Sequence, residues 1–382
     1  MDFALTEEQE FLRQDIRDFA ASELSDDVID RDQRNEFSRE LWKRSAAKGL
    51  TGLPAPEEFG GAGLDPLTTA ISMEALGYGC PDGGLVFSIG AHLFTCIIPI
   101  LKFGSEEQKR HYLPLLCSGE VIGAIGMTEL ESGSDAYAMK TRAVKADGGY
   151  RINGGKMFIT NSPVADMVIV YAITDERKGY FGGITAFLVD ADTPGFTAAQ
   201  SFKTLGLRTS PVGELIFDDM FVPDSAVLGG PGGGAMIFNT VMDWERTCLF
   251  ASHVGQAERA LETATEYART RQQSGKAIGQ YQAISHRLAE LKTRLEAARL
   301  LVYRAAWKID RERGVSVDAA MAKNFVAELF VDTSLAAVQT LGGYGYMTEY
   351  DVERTLRDAV SAPIYSGTTE IQNNIIARWL GL

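Results

Sequence analysis

Behind Thr6 and Gln9, which have the spacing of a capping box, the apolar positions Leu12, Ile16 and Phe19 recur every three or four residues. This predicts an amphipathic helix near the start of the chain. Helical patterning continues to about residue 122. The longest apolar stretch there, Leu93 to Leu101, contains Pro99 and is shorter than a bilayer crossing requires, so it reads as a core helix. Leu113 and Pro114 close this region. From about 123 to 230 the pattern changes. Asn153-Gly154, between Tyr150-Arg151-Ile152 and Met157-Phe158-Ile159, predicts a hairpin turn. Met167 to Tyr171 and Ile184 to Val189 are apolar runs that predict buried strands. Gly229-Gly230-Pro231-Gly232-Gly233-Gly234 then breaks all regular structure. Beyond it, Ile284, Leu288, Leu291, Leu295, Ala298 and Val302 mark one apolar stripe on a long helix that packs on its neighbours.

The order helical, β, helical predicts an α+β fold with three parts: residues 1–122, an antiparallel sheet or small barrel over 123–232, and a helical bundle over 233–382. No βαβ alternation is present, which argues against a Rossmann domain. The glycine run lacks the strand-to-helix setting and the Lys-Ser/Thr of a phosphate loop, and reads as a flexible joint.

A chain of 382 residues exceeds what one core supports. Its 45% hydrophobic and 23% charged residues are ordinary for a globular protein. The net charge of −14 disfavours nucleic acid, and an acidic partner would need a local basic patch. Cys80, Cys96, Cys117 and Cys248 are scattered without a CxxC, which predicts a reduced, cytoplasmic protein. The acidic start, Met1 to Glu8, lacks the basic region of a signal peptide, and no membrane insertion is expected. His92, His111, His253 and His286 share no ligand or triad spacing, so each reads as structural or surface and no metal is expected.

Several motifs then occur in sequence. Leu5-Thr6-Glu7-Glu8-Gln9 opens the chain; Met127-Thr128-Glu129 runs on to Gly133-Ser134-Asp135; Lys156-Met157-Phe158-Ile159-Thr160-Asn161 follows. Leu205 to Ser210, Gln339-Thr340-Leu341-Gly342-Gly343-Tyr344-Gly345 and Ile364-Tyr365-Ser366-Gly367-Thr368-Thr369-Glu370-Ile371-Gln372 complete the set. In this order they resemble the acyl-CoA dehydrogenase family over essentially the whole chain. The resemblance implies FAD between the sheet and the C-terminal helices, and a homotetramer built from dimers. It implies that Met127 and Thr128 meet the flavin's pyrimidine side, that Thr160 meets N5, and that Phe158, where relatives often have tryptophan, lies against the ring. Gly133 and Ser134 would meet the pyrophosphate. Arg271 would reach a partner's pyrophosphate from a segment in which Ser274 stands where relatives usually have phenylalanine. Gln339, Gly342 and Gly343 would hold the adenine side, with Thr368 and Glu370 as further cofactor contacts. Leu130 replaces the family's usual proline. Singly, these residues have plainer readings: Phe158 and Thr160 as alternate strand residues, Arg271 as a solvated cation, the glycines as helix packing.

Many members of the family carry a catalytic glutamate directly after the tyrosine of the last motif. Here that place is Ser366, whose hydroxyl is far too weak a base to take a proton from carbon. Asp243-Trp244-Glu245-Arg246 resembles the helix on which isovaleryl- and long-chain-type members put their glutamate, which makes Glu245 the base. Dehydrogenating an acyl thioester removes the α-proton while the β-hydrogen leaves as hydride, so a carboxylate must be aimed at Cα and the enolate-like oxygen needs hydrogen bonds. A dry pocket would raise the carboxyl's pKa. Ser134, Arg246, Tyr365, Ser366 and Gly367 are the substrate-side residues, and a serine at 366 keeps the backbone N–H that supports the thioester carbonyl. Without the resemblance, Glu245 would read as a surface glutamate paired with Arg246.

Ala91-His92-Leu93, Ile159-Thr160-Asn161-Ser162-Pro163-Val164-Ala165-Asp166, Trp244-Glu245-Arg246-Thr247-Cys248-Leu249, Arg271-Gln272-Gln273 and Tyr303-Arg304-Ala305-Ala306-Trp307-Lys308 resemble a subgroup that acts on carrier-protein-tethered substrates, notably L-prolyl-carrier-protein dehydrogenases of natural-product biosynthesis. A short- or branched-chain acyl-CoA dehydrogenase of catabolism is the alternative. An oxygen-using oxidase or monooxygenase, or a non-catalytic subunit, stands behind both. The electron acceptor would be electron-transfer flavoprotein or oxygen.

Overall fold

Thr6 accepts from the Gln9 N–H and the Gln9 side chain accepts from the Thr6 N–H, so the predicted capping box starts the helix Glu7–Glu23. Ser105 and Gln108 repeat the device at the helix Glu106–Cys117, which contains Pro114. Each box satisfies two N–H groups that a helix start leaves orphaned. The computed structural model describes residues 3–312 and 314–382.

The predicted core helix is longer than its apolar stretch. A continuous helical segment runs over Gly83–Phe103, long and apolar enough by composition to cross a bilayer, yet buried almost throughout inside the protein. It contains a π-turn at Leu93–Ile97, two residues before Pro99. The helix ending at Tyr346 that begins at Ser316 passes the same compositional test and is about half buried. Both pack within the helical layers.

The sheet comprises β1 (Gly123–Gly126), β2 (Arg142–Ala146), β3 (Gly149–Thr160), β4 (Met167–Ile173), β5 (Ile184–Asp190), β6 (Phe196–Ser201), β7 (Val212–Pro223) and β8 (Val227–Leu228). Its order is β6-β7-β3-β2-β4-β5-β8, and β1 pairs parallel with β4. β4 and β5 are the buried antiparallel pair their apolar runs predict. One sheet face packs a core of its own around Tyr150, Ile152, Val168, Phe187 and Phe217.

The hairpin expected at Asn153-Gly154 is not there. Both residues lie inside the twelve-residue β3, where a bulge between Ile152 and Gly154 shifts the register against β7. The Asn153 side chain accepts from the Asp219 N–H at 2.8 Å, and Gly154 has φ +144° with Thr141 so close that a Cβ would fall 2.5 Å from its Oγ1. Turn-forming residues are here serving a bulge. The two-residue turn is Asp147-Gly148, which joins β2 and β3 with Ala146 opposite Gly149; Asp-Gly is itself a hairpin signal that the sequence carried.

The glycine run packs on the sheet, with the Gly232 N–H donating to Thr185 Oγ1 at 2.9 Å, and leads into the helix Gly234–Trp244. A π-turn, Glu245–Leu249, connects this to the helix Phe250–Thr270. The helices Gln282–Ile309, Ser316–Leu341, Val352–Ala359 and Thr369–Trp379 follow. Leu288, Leu291, Leu295, Ala298 and Val302 are buried as their stripe predicts. The α+β arrangement of helices, sheet and helices is therefore the fold.

Two buried groups tie these layers. Lys156 on β3 is fully buried and donates to Glu129 Oε1 at 2.7 Å and to the Met127 carbonyl at 3.1 Å. Burial pushes Lys156 down to about 8 against the pull of Glu129. Burial alone would raise Glu129, but the Lys156 ammonium and the N–H groups of Lys140 and Thr141 hold it below the usual carboxylate range. Asp358 accepts from the Leu207 N–H, beside Gly83 at the start of the core helix. Burial pushes its carboxyl up to about 7.

Replacing Lys156 by methionine strands a buried carboxylate and should cost about 3–5 kcal/mol, read as a lowered thermal midpoint. For Asp358 the folded pKa lies above the unfolded value of about 3.9, so the folded state holds an extra proton between the two. This contribution is complete below about pH 4 and is lost as pH rises through about 7. Asp358→Asn keeps an acceptor for Leu207 and should gain thermal midpoint over wild type at pH 8 but not at pH 4.5.

Candidate active site

Glu245 is the first residue of the π-turn, 8% exposed, at the wall of a cavity of about 940 Å³ between the sheet and the C-terminal helices. A π-turn is a local widening of the helix often found at functional positions. Trp244 just before it stacks on Phe94 of the other π-turn, ring centroids 6.3 Å apart. Burial raises the Glu245 carboxyl above its ordinary range, while a hydrogen bond from Ser366 and the charge of Arg246 oppose that rise. The Ser366 hydroxyl donates to Glu245 Oε1 at 2.7 Å. Arg246, also 8% exposed, donates through Nε to the Ser366 carbonyl at 2.9 Å. Glu245 is therefore not the surface glutamate that its residue type alone would suggest.

The loop Tyr365-Ser366-Gly367 is held in an unusual backbone path, with φ of +54° at Ser366 and +86° at Gly367. Gln372 Nε2 donates to both carbonyls, at 3.0 and 2.8 Å. A Cβ at Gly367 would sit 2.8 Å from that nitrogen, so only glycine fits there. Tyr365 packs between Phe87 and Phe250, and its hydroxyl meets His253 Nε2. Burial drives His253 down to about 4, so the ring is neutral. With Nδ1 donating to Gln256 Oε1 at 2.8 Å, Nε2 accepts the Tyr365 proton. His253 is thus a structural histidine, as expected, but one that fixes a residue of the site. His92 is structural too: Nε2 donates to the Leu116 carbonyl and Nδ1 accepts from the Gly123 N–H.

The sheet side of the same cavity carries Met127 and Thr128 after β1, Gly133 and Ser134 in the following loop, and Phe158 and Thr160 at the end of β3. Lys156 and Glu129 hold the segment after β1 to the end of β3, and the Met157 N–H donates to the Thr128 carbonyl at 2.8 Å. Phe158 is not an ordinary strand residue. It sits in a second bulge, between Lys156 and Ile159, with φ +59° and 63% exposure, its ring 5.6 Å from that of Phe202. Among the described residues, the hydroxyls of Thr128, Ser134 and Thr160 donate to no protein group. Apolar walls from Phe158, Met127 and Ile125 with three uncommitted hydroxyls are the donor set that an isoalloxazine ring requires, so the residues present fit a flavin.

The remaining expected residues lie elsewhere. Arg271, Gly342 and Gly343 share a second cavity, about 460 Å³, with Tyr267 and Tyr344. Arg271 has no ion pair among the described residues. Ser274 is exposed in the turn of the small hairpin Gln272–Gln273/Lys276–Ala277, with φ +51°, and lines neither cavity. Gln339 is exposed on its helix. Thr368 caps the helix Thr369–Trp379 by accepting from the Ile371 N–H, and Glu370 is exposed in that helix's first turn. These four are not brought to the large cavity.

Sequence reasoning also missed residues. Tyr137 and Tyr180 bond each other through their hydroxyls at 2.7 Å, and Tyr180 donates to Asn239 Oδ1 at 3.0 Å, on one wall of the large cavity. Ile371, Asn374, Ile375 and Arg378 line it from one helix face. Their three- and four-residue spacing was a readable signal.

Comparison with known proteins places this geometry. The N-terminal, middle and C-terminal domain models of acyl-CoA dehydrogenase match residues 6–120, 124–220 and 232–381. The chain is 44% identical over 382 residues to an L-prolyl-[peptidyl-carrier protein] dehydrogenase of Serratia sp. (strain ATCC 39006), covering 100% of this chain and 99% of that one. It is 43% identical over 376 residues to an acyl-CoA dehydrogenase of Bacillus subtilis (strain 168), covering 98% of each. Among solved structures, the prolyl acyl carrier protein oxidase AnaB superposes with a TM-score of 0.97 at 41% identity, covering 99% and 100% of the two chains. The FAD complex of PigA superposes with a TM-score of 0.97 at 43% identity, covering both chains fully. The chain belongs to the acyl-CoA dehydrogenase family and is an FAD-dependent oxidoreductase.

Proposed function

We propose that this protein dehydrogenates an acyl thioester carried on the phosphopantetheine arm of a carrier protein, with L-proline as the acyl group, and that Glu245 is its base. The observation that carries the base assignment is a buried carboxyl at the wall of the large cavity, next to the loop in which Ser366 replaces the other family position. The relatives named for prolyl-carrier substrates support the acyl group.

In this reading the Glu245 carboxylate takes the α-proton, becoming neutral, which its apolar burial favours. The Ser366 N–H has no acceptor among the described residues and is available to the thioester carbonyl, where it opposes the charge that develops as Cα is deprotonated. Tyr365, Gly367, Arg246 and Ser134 bound the substrate space, with Tyr365 fixed by His253. Bound FAD supplies the acceptor for the β-hydride. Met127, Thr128, Phe158 and Thr160 would hold its ring, and Gly133 and Ser134 its pyrophosphate. Arg271, Gly342 and Gly343 would hold the far end of a neighbouring protomer's cofactor, in a homotetramer. In that assembly Ser274, Gln339, Thr368 and Glu370 would reach their cofactor contacts across an interface. Four buried, unpaired thiols fit a reducing cytoplasm.

The acceptor of the electrons is electron-transfer flavoprotein or oxygen, and the similarity to a carrier-protein oxidase favours testing oxygen first. A catabolic acyl-CoA substrate is the second reading, supported by the similarity to acyl-CoA dehydrogenases of Bacillus subtilis.

Anaerobic mixing with L-prolyl-carrier protein should bleach the flavin absorbance, while a panel of short and branched acyl-CoAs should not; the reverse result would establish the second reading. Glu245→Gln should slow bleaching roughly 10²–10⁴-fold with flavin still bound. A variant that bleaches at the native rate would remove Glu245 from the chemistry.

A further inference from the structure

Ser366 stands where a residue other than glycine is costly. Its φ of +54° is a left-handed conformation that asparagine, aspartate or glycine fills more readily than serine. Such a residue persists when its surroundings over-determine it, and these contacts cluster at functional sites. Here the surroundings are explicit. The carbonyl of Ser366 accepts from Arg246 at 2.9 Å and from Gln372 at 3.0 Å, and the hydroxyl donates to Glu245 at 2.7 Å. One residue of the loop is thereby joined to two consecutive residues of the π-turn, 121 and 120 positions earlier in the chain.

The chemistry of these bonds is directional. A hydroxyl has one proton to give, and at this site it goes to Oε1 of the carboxylate. Oε2 accepts from no group among the described residues, so it is the oxygen left for a substrate proton. A donor to one oxygen favours the charged carboxylate, which is the form that can act as a base. The charged and titratable neighbours are few. Arg246 adjoins Glu245 on its own element, and Tyr365 faces it from the loop. Asp243, Tyr137 and Lys323 act on Arg246. Tyr365 stays a neutral phenol, because burial lifts it well above its ordinary range. Ser366 is the one uncharged donor to the carboxylate among the described residues.

We propose that the Ser366 hydroxyl is the positioning group of the general base: it holds one carboxylate oxygen of Glu245, keeps the group ionised in an apolar pocket, and leaves the other oxygen for the α-proton. The proposal rests on Glu245 being the base. The step itself is a proton transfer from substrate Cα to Glu245 Oε2, with the electron pair of the C–H bond remaining on the substrate. The Ser366 proton stays on its own oxygen throughout and lengthens its bond once Glu245 is neutral.

The test measures the rate of anaerobic flavin bleaching by the thioester across pH in FAD-loaded wild type, Ser366→Ala, Ser366→Gly and Glu245→Gln. Alanine removes the hydroxyl and keeps Cβ; glycine removes both and relieves the left-handed backbone. Both variants should move the acid limb of the profile to higher pH by the same amount. That is a rate about ten-fold lower on the limb, narrowing toward wild type in alkali. Infrared titration of the protonated carboxyl band, assigned by its loss in Glu245→Gln, should shift in the same direction without turnover. An acid limb and carboxyl band unmoved in both variants would overturn the proposal, as would a shift in only one of them, which would point to the backbone. Native bleaching by Glu245→Gln would overturn the base assignment and this proposal together, whereas an inert Glu245→Gln beside unshifted serine variants would overturn this proposal alone.

Discussion

A lysine ammonium and a glutamate carboxylate sealed from water, Lys156 and Glu129, hold the sheet side of the large cavity in place. The pair is isolated enough that each partner has no substitute: remove one and the other is a lone charge in a medium that cannot solvate it. Its placement gives it reach. Glu129 follows Thr128 and accepts from two further backbone N–H groups, while Lys156 precedes the bulge that carries Phe158, with Thr160 paired to Val212 just beyond it. The residues expected to touch the ring from two separate segments are therefore indexed to each other by this ion pair, together with the bonds from Lys156 to the Met127 carbonyl and from the Met157 N–H to the Thr128 carbonyl. Beyond β1 the ladder with β4 ends, and the ion pair reinforces the single main-chain bond from Met157 to Thr128.

On the helical side the same role is divided among neutral and charged hydrogen bonds. The loop after Tyr365 is clamped by Gln372 and Arg246 and reaches Glu245 by its hydroxyl. The cavity is thus lined by two independently rigid constructions, one anchored in the sheet and one in the C-terminal helices. Their relative position depends on packing between layers, including the buried Asp358 at the meeting of the core helix, the segment before β7 and the helix Val352–Ala359.

Much of this was legible in the chain. The capping box of Thr6 and Gln9, the stripe from Leu288 to Val302 and the runs at Met167 and Ile184 are local signals, and local signals survive folding when nothing distant competes. Asn153-Gly154 failed for the converse reason. Its preference for a turn was outweighed by β7, whose Asp219 N–H it accepts across the sheet. Glu245 could be singled out only through resemblance, because its partner at the cavity wall, Ser366, lies in a loop 121 residues later. Likewise Tyr137, Tyr180 and Asn239 lie on three separate segments, and no periodicity links them. The extent of the helix Gly83–Phe103 was obscured by Pro99, which a π-turn accommodates.

That second π-turn, at Glu245–Leu249, has a consequence of its own. It holds one residue more per turn than an α-helix, about 100° of helical phase. The helix before it and the helix after it are consequently out of register, and each can present its own face to a different neighbour. Glu245, where that offset begins, lines the cavity, while the apolar face of Phe250–Thr270 stays in the core. Loss of a single residue within the turn would leave composition, charge and both flanking helices almost intact. It would change the phase of the Glu245 carboxylate relative to the core face of Phe250–Thr270, and the cavity wall would lose its acid group with the glutamate still in the chain.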